Sequence, residues 1–500
     1  MDIMPGRKLK SREKRLPFFS KKVLLSFLFV TLIAFLISPY GRVSPDWEEP
    51  AEYGSEDGLL NATLHVKKSR VDIGGLEIES PVYNNSYPGP TFRVSPGDKF
   101  RVNLINDGSE DTNLHFHGGH VSPKGNSDNV FLSISPGKSF QYEYKIPKDH
   151  PPGLYWYHPH RHFYTEAQVL DGMAGAIIVR GGLDDLEGIK ELAEKVMVLT
   201  TVDSKDQNMP TRLVNGKKNP VMYMRPNESV RLRIFNASAD DFYNFAIPGI
   251  KLSILARDGN TLSSVLVKES ELLAPGNRVE MLIKAGNPGT YVVESLPFDQ
   301  GFSKYARDAF MTIKVQGLPV MTESKIPSEL FAHEDLQNAR VDNFRTVTLS
   351  EGGTAGSTTF LIDGKEFDPS QIGQVVRLGD IDEWRIVNTS SETHPFHIHI
   401  NPFQVISVNG KLIKDELSYR DTFPIPAQGE VVMRTRYKDF EGKYVIHCHI
   451  LFHEDHGMMQ VVEAVDPANP ESSKEGYGEV EMEYMHESGR DSGRYSHDKM

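Results

Sequence analysis

Pro96-Gly-Asp-Lys-Phe-Arg-Val-Asn-Leu-Ile-Asn106 reads as a turn followed by a strand with apolar residues at alternate positions, closing on asparagine. The design returns as Pro226-Asn-Glu-Ser-Val-Arg-Leu-Arg-Ile-Phe-Asn236 and again as Leu378-Gly-Asp-Ile-Asp-Glu-Trp-Arg-Ile-Val-Asn388. A second element, Gly-x-Tyr opening an apolar strand, occurs at Gly153–Tyr155, Gly289–Tyr291 and Gly442–Tyr444. Both elements recur in the same order, about 130 to 155 residues apart. One such match arises easily by chance; two in register do not. The repeat predicts an all-β chain of three similar sandwich domains, over 48–182, 190–318 and 340–465. Leu183–Val196 carries the clearest helical spacing and predicts a helix between the first two.

The flanks have a different character. Residues 1–22 hold eight Lys/Arg against two acids, and Val23–Ile37 is almost entirely apolar. This pattern predicts a signal peptide or a short membrane tether through 23–37 that sends the rest of the chain out of the cytoplasm. From Asp466 onward, Gly, Ser, Glu and Tyr predominate and aliphatics nearly vanish, which predicts a disordered acidic tail over 466–500. The net charge of −13 excludes nucleic acid as the main partner, because phosphate binding needs a cationic surface. With Cys448 the sole cysteine, no intrachain disulfide exists. An exported chain without disulfides fits a bacterial envelope protein large enough to fold on its core alone.

The repeat lets histidines be compared between domains. Nine and eleven residues past the closing asparagine stand His115 and His117 in the first domain and His397 and His399 in the third. The middle domain has Phe245 and Ile247 there. Past the Gly-x-Tyr element stand His158 and His160, then His447 and His449, against Glu294 and Leu296 in the middle domain. Residues i and i+2 of a strand point the same way, so each His-x-His pair offers two imidazoles to one side. Four such pairs at equivalent places predict eight imidazoles around a metal cluster between the outer domains. Neutral imidazole suits copper, zinc and iron alike.

Cys448 lies between His447 and His449, so its side chain faces the other way. His394, His453 and Met458 flank it in sequence. One thiolate, two imidazoles and a weak axial thioether form the ligand set of a blue-copper electron-transfer site. The first domain has Thr112, Pro159, Tyr164 and Val169 at the matching positions, so only the third can build it.

His115-Phe-His117-Gly118, Trp156-Tyr-His158-Pro-His160, His394-Pro-Phe-His397-Ile-His399 and His447-Cys-His449 with His453 and Met458 resemble the four copper signatures of three-domain multicopper oxidases, in the family's order. The resemblance covers most of 48–465. It implies Greek-key cupredoxin domains and four coppers: a type 1 ion on His394, Cys448, His453 and Met458, and a type 2 ion on His115 and His397. A type 3 pair would take His117, His158, His160, His399, His447 and His449. Asp128 resembles the family's acid beside the type 2 copper and Glu454 its acid near the O2 channel, both proton relays.

The implied activity is laccase-like. A monomer would take single electrons from a small reducing substrate, a phenol or aromatic amine, at the exposed edge of His453 or His394, and reduce O2 to water. A metal oxidase acting on Cu(I), Fe(II) or Mn(II) is the main rival. Its cuprous form would carry a methionine-rich insertion, whereas the 16 methionines are scattered, with only Met222 and Met224 and a pair in the tail close together. A copper-free envelope scaffold and a two-domain nitrite reductase fit less well, because the ligand set is complete and lies in one three-domain chain.

Overall fold

The computed structural model describes residues 46–475 except 203–209, 322–324, 355–356 and 414–417. The basic leader with Val23–Ile37 and the tail beyond 475 lie outside the described residues. No helix among those described is long and apolar enough to cross a membrane.

The strand quoted first, Lys99–Asp107, buries Phe100, Val102 and Leu104 on one face, as its alternation requires. It pairs parallel with Leu59–Ile73 and antiparallel with Lys138–Lys145. Its two counterparts repeat this arrangement. Ser229–Asn236 lies between Ala193–Val202 (parallel) and Arg278–Lys284 (antiparallel), and Ile381–Asn388 lies between Asn343–Thr354 (parallel) and Glu430–Arg436 (antiparallel). The closing asparagine has a structural cause. Asn106, Asn236 and Asn388 each accept a hydrogen bond from the backbone N–H two residues on, at 3.0 Å in all three. Their Nδ2 groups donate to Glu110, Asp241 and Glu392 carbonyls, fixing the turn that leads to the histidine strands.

In every repeat this sheet packs on a second, five-stranded one. The second sheets hold Glu52–Gly54 to Gly175–Val179, Val221–Met224 to Asp308–Val315, and Ile372–Arg377 to Met459–Val465. Each sandwich has its own core, Leu64, Val102 and Phe116 meeting in the first, Leu232, Phe245 and Ile313 in the second, Ile386, Phe396 and Val462 in the third. The chain is all-β with three tandem sandwiches.

Two expectations are corrected. Leu183–Val196 is not a helix: a 3-10 turn at Gly182–Asp184 and further turns lead into the strand Ala193–Val202. Gly188 sits at φ +85° where a Cβ would lie 2.2 Å from the Lys325 carbonyl, a left-handed kink that no helix interior accommodates. Leu183, Leu186, Ile189 and Leu192 still share one hydrophobic cluster, so the period of three serves successive turns. The acidic tail does not begin at 466. Pro470–Lys474 forms a 3-10 turn whose Ser473 is buried and donates to Glu463, while the Lys124 ammonium holds the Ser472 carbonyl at 2.6 Å.

Candidate metal centre

The histidine strands are neighbours within their sheets. His115–His117 pairs antiparallel with Gly153–His158, setting His115 opposite His158. His394–Ile398 pairs with Gly442–Cys448, setting His397 opposite His447 and Phe396 opposite Cys448. The first and third sandwiches then present these edges to one another. His115 stacks on His399 and His117 on His397, both at 3.9 Å between ring centres and within 11° of parallel. All eight imidazoles are buried.

Their inner nitrogens converge in trios. His160 Nε2 and His399 Nε2 each lie 3.2 Å from His447 Nε2. His449 Nε2 lies 3.2 Å from His117 Nδ1, with His158 completing that trio, and His115 and His397 face each other beside them. Most outer nitrogens are held by acceptors. His158 Nδ1 donates to the Pro159 carbonyl at 2.8 Å, His397 Nδ1 to the Asp421 carbonyl at 2.9 Å, and His447 Nδ1 to the Cys448 carbonyl at 2.9 Å. His115 Nδ1 donates to Asp128, whose Oδ1 also accepts the Phe116 N–H. The inward Nε2 atoms of His115, His158 and His397 are left buried without a hydrogen-bond partner. Burial, then repulsion between neighbouring imidazoles, keeps these rings neutral, pushing His158 down to about 3 and placing His115 and His397 well below their ordinary value. Neutral rings with fixed tautomers and naked inward nitrogens are the donor set a metal cluster requires.

On the far side of the strand, Cys448 Sγ lies 3.5 Å from His394 Nδ1 and 3.7 Å from His453 Nδ1, with those nitrogens 3.2 Å apart. Met458 is buried in the same core, and its carbonyl accepts the Cys448 N–H. Burial pushes the Cys448 thiol well up, so a thiolate forms only with a cation in the pocket. One thiolate with two imidazoles and a thioether suits copper.

The two imidazoles beside Cys448 offer little edge to solvent, none of the His394 side chain and 8% of the His453 side chain being exposed, which narrows the expected entry edge to His453. His394 Nε2 donates to Ser390 Oγ at 2.7 Å and lies 3.5 Å from Glu351, while His453 Nε2 lies 3.4 Å from Glu392. Phe360 stacks on the His453 ring at 4.0 Å. Burial, opposed by the Gln300 amide and reinforced by Glu351, raises the Glu392 carboxyl to about 7.

Both sequence-predicted acids reach the cluster. Glu454 is fully buried, 3.0 Å from His447 Nδ1 and 3.4 Å from His160 Nδ1. The His447 N–H points to the Cys448 carbonyl, so both Glu454 oxygens have no hydrogen-bond donor. The sequence reading missed Glu351, Glu392, Asp421 and Arg278. Glu392 sits at a turn position that Glu110 and Asp241 also occupy, but none of the four carries a repeated metal-ligand pattern. The contacts that give them their roles, such as Glu392 with His453 and Arg278 with Asp421, are distant in sequence.

Family models described as multicopper oxidase match residues 65–183, 192–307 and 336–468. A multicopper oxidase of Staphylococcus haemolyticus is 27% identical over 85% of this chain and 93% of its own length. A Bacillus subtilis laccase is 26% identical over 85% and 97%. Among solved structures, a Campylobacter jejuni multicopper oxidase described as a metallo-oxidase superposes with a TM-score of 0.74 at 29% identity, covering 84% of this chain and 96% of that one. With three matching domains and a donor set that fits copper, this chain belongs to the multicopper oxidase family.

Proposed function

We propose that this oxidoreductase is laccase-like, coupling one-electron oxidation of phenols and aromatic amines to four-electron reduction of O2 to water. The observation that carries the reading is the placement of both donor sets on one strand, His447 and His449 facing the cluster and Cys448 facing away. In this reading His394, Cys448, His453 and Met458 hold a type 1 copper, and His115 and His397 a type 2 copper. His117, His158 and His449 hold one type 3 copper, and His160, His399 and His447 the other. Bound copper supplies the one-electron redox chemistry and the site of O2 reduction.

The chain supplies the rest. The His447 Nδ1–H···O=C bond to Cys448 shortens the path from sulfur to cluster. Each O2 takes up four protons with its four electrons. Glu454, beside His447 and His160, and Asp128, on His115, are the carboxyls placed to deliver them. On the donor side, Glu392 near His453 can accept the proton a phenol releases as it loses an electron. Export by way of residues 23–37, a monomeric state and a bacterial envelope location belong to the same reading. The mass of the mature N-terminus tests the first.

One observation favours a second reading. Glu351 and Glu392 flank the outer nitrogens of both type 1 imidazoles, and carboxylates attract cationic donors such as Fe(II), Mn(II) or Cu(I). Against a cuprous specialist, Met222 and Met224 lie in the middle-domain core. The deciding experiment records visible and EPR spectra of copper-loaded protein and follows O2 uptake with 2,6-dimethoxyphenol, then with Fe(II) and Cu(I). An intense blue band lost in Cys448→Ser, with phenol-driven uptake, is the expected result. Uptake with metal ions alone moves the function to metal oxidation, and a colourless, inert protein overturns both readings.

A further inference from the structure

The middle domain contributes no imidazole or thiol to either donor set, yet its segment Ala274–Arg278 is pressed against the cluster. A Cβ on Gly276 would lie 2.8 Å from the His449 ring, and Asn277 Nδ2 donates to the Thr422 carbonyl. Arg278 is fully buried where all three domains meet. Its Nη1 and Nη2 donate to the two oxygens of Asp421 at 2.6 and 2.5 Å, a bidentate fork into the third domain. Its Nε donates to the Leu154 carbonyl of the first domain at 3.4 Å, and Asp258 fixes its backbone by accepting the Arg278 N–H.

Asp421 carries this hold to the ligands. Its Oδ1 lies 3.2 Å from His117 Nε2 and 3.5 Å from His397 Nδ1, and its own carbonyl accepts the His397 Nδ1–H. Thr422 Oγ1 donates to the same Oδ1 and touches both rings. These are the two imidazoles that stack across the interface between the outer domains. One carboxylate therefore addresses a ligand from each side. The Asp421 carboxylate selects the tautomer that turns His117 Nδ1 inward, and the backbone carbonyl of the same residue the one that turns His397 Nε2 inward. Space for the fork is kept by Gly118, where a Cβ would fall 2.2 Å from Arg278 Nη2 and 2.5 Å from Asp421 Oδ2.

We propose that Arg278 is a positioning residue for the copper cluster, fixing the orientation of His117 and His397 through Asp421, so that the middle domain sets geometry at a site to which it gives no ligand. The proposal rests on the copper assignment above. A lysine at 278 keeps the charge but replaces the planar fork by a single point contact, and a methionine removes both.

The test compares copper-loaded full-length Arg278→Lys and Arg278→Met with the wild type. Readouts are copper per chain, loss of copper to a chelator, the EPR signal of the type 2 ion and the blue band of the Cys448 site as an internal control. Affinity at the His117/His397 side is expected to fall about 10- to 100-fold in the methionine variant and less in the lysine variant, because partners that orient ligands carry effects of that size. The EPR signal should change in both while the blue band persists. Where the methionine variant does not fold, the lysine variant decides. Unchanged EPR and chelator resistance overturn the proposal, as does equal loss of blue and cluster copper, which marks general loosening. A wild type that binds no copper fails the earlier assignment instead.

Discussion

Glu454 is enclosed by imidazoles, its oxygens accept no hydrogen bond because the neighbouring His447 N–H points to the Cys448 carbonyl, and solvent does not touch it. Such a carboxyl can serve as a proton carrier without being needed to hold the fold. Glu454→Gln is therefore expected to keep its copper content and blue band while turnover falls by roughly 100-fold or more, the scale of a lost general acid. Turnover within twofold of wild type, measured by O2 uptake, would move proton delivery to Asp128 alone. At this scale the sequence reveals what repeats. The His-x-His pairs stand out because two domains carry them at the same count from the same asparagine. Arg278 and Asp421 could not be found this way. They lie 143 positions apart, and each sits in an ordinary-looking strand edge or turn. Glu392 was hidden for a similar reason: its neighbour His394 drew attention, but its proximity to His453 appears only once the loop folds.

The strand Gly153–His158 has to satisfy two neighbours at once. Its far end delivers His158, and its first residue touches the middle domain, where a Cβ on Gly153 would fall 2.2 Å from the Gly259 carbonyl. Because that obstacle is backbone, Gly153→Ala must push the two sandwiches apart. A loss of about 1–3 kcal/mol is expected, read as a lower thermal midpoint with weaker copper retention. A variant as stable as the wild type would show that the turn at Gly259 yields freely. Strand identity was legible wherever one face is buried and the other is wet, as in Lys99–Asp107. The stretch Leu183–Val196 misled because turns can also bring every third residue inward. Only Gly188, with its left-handed backbone against Lys325, distinguishes the two cases.

For the molecule as a whole, acid is a threat even outside the ligand sets. His150 is buried beneath the contact that His120 makes with Asp439 and the Ile400 carbonyl of the third domain, and its Nε2 accepts the His120 N–H. Burial, then the nearby His120, pushes His150 down to about 3. Below pH 6.5 the unfolded chain binds a proton here that the folded chain refuses, so stability falls as pH drops from 6.5 toward 3, by about 1.4 kcal/mol per pH unit. His150→Gln, which keeps the acceptor without the titration, is expected to unfold with a slope against pH shallower by that amount. Equal slopes in urea titrations at pH 6 and pH 4.5 would rule it out. The three-sandwich plan was readable from its repeats, but how the sandwiches meet was not, since no local pattern encodes a contact such as His117 with His449, 332 positions apart. That separation also governs assembly. The Cys448 pocket closes within one late stretch of chain, His394 to Met458, whereas the histidine cluster stays open until the first and last domains have both been made and have met. A metal held by imidazoles of both outer domains can therefore be enclosed only once the last domain has been made and has met the first.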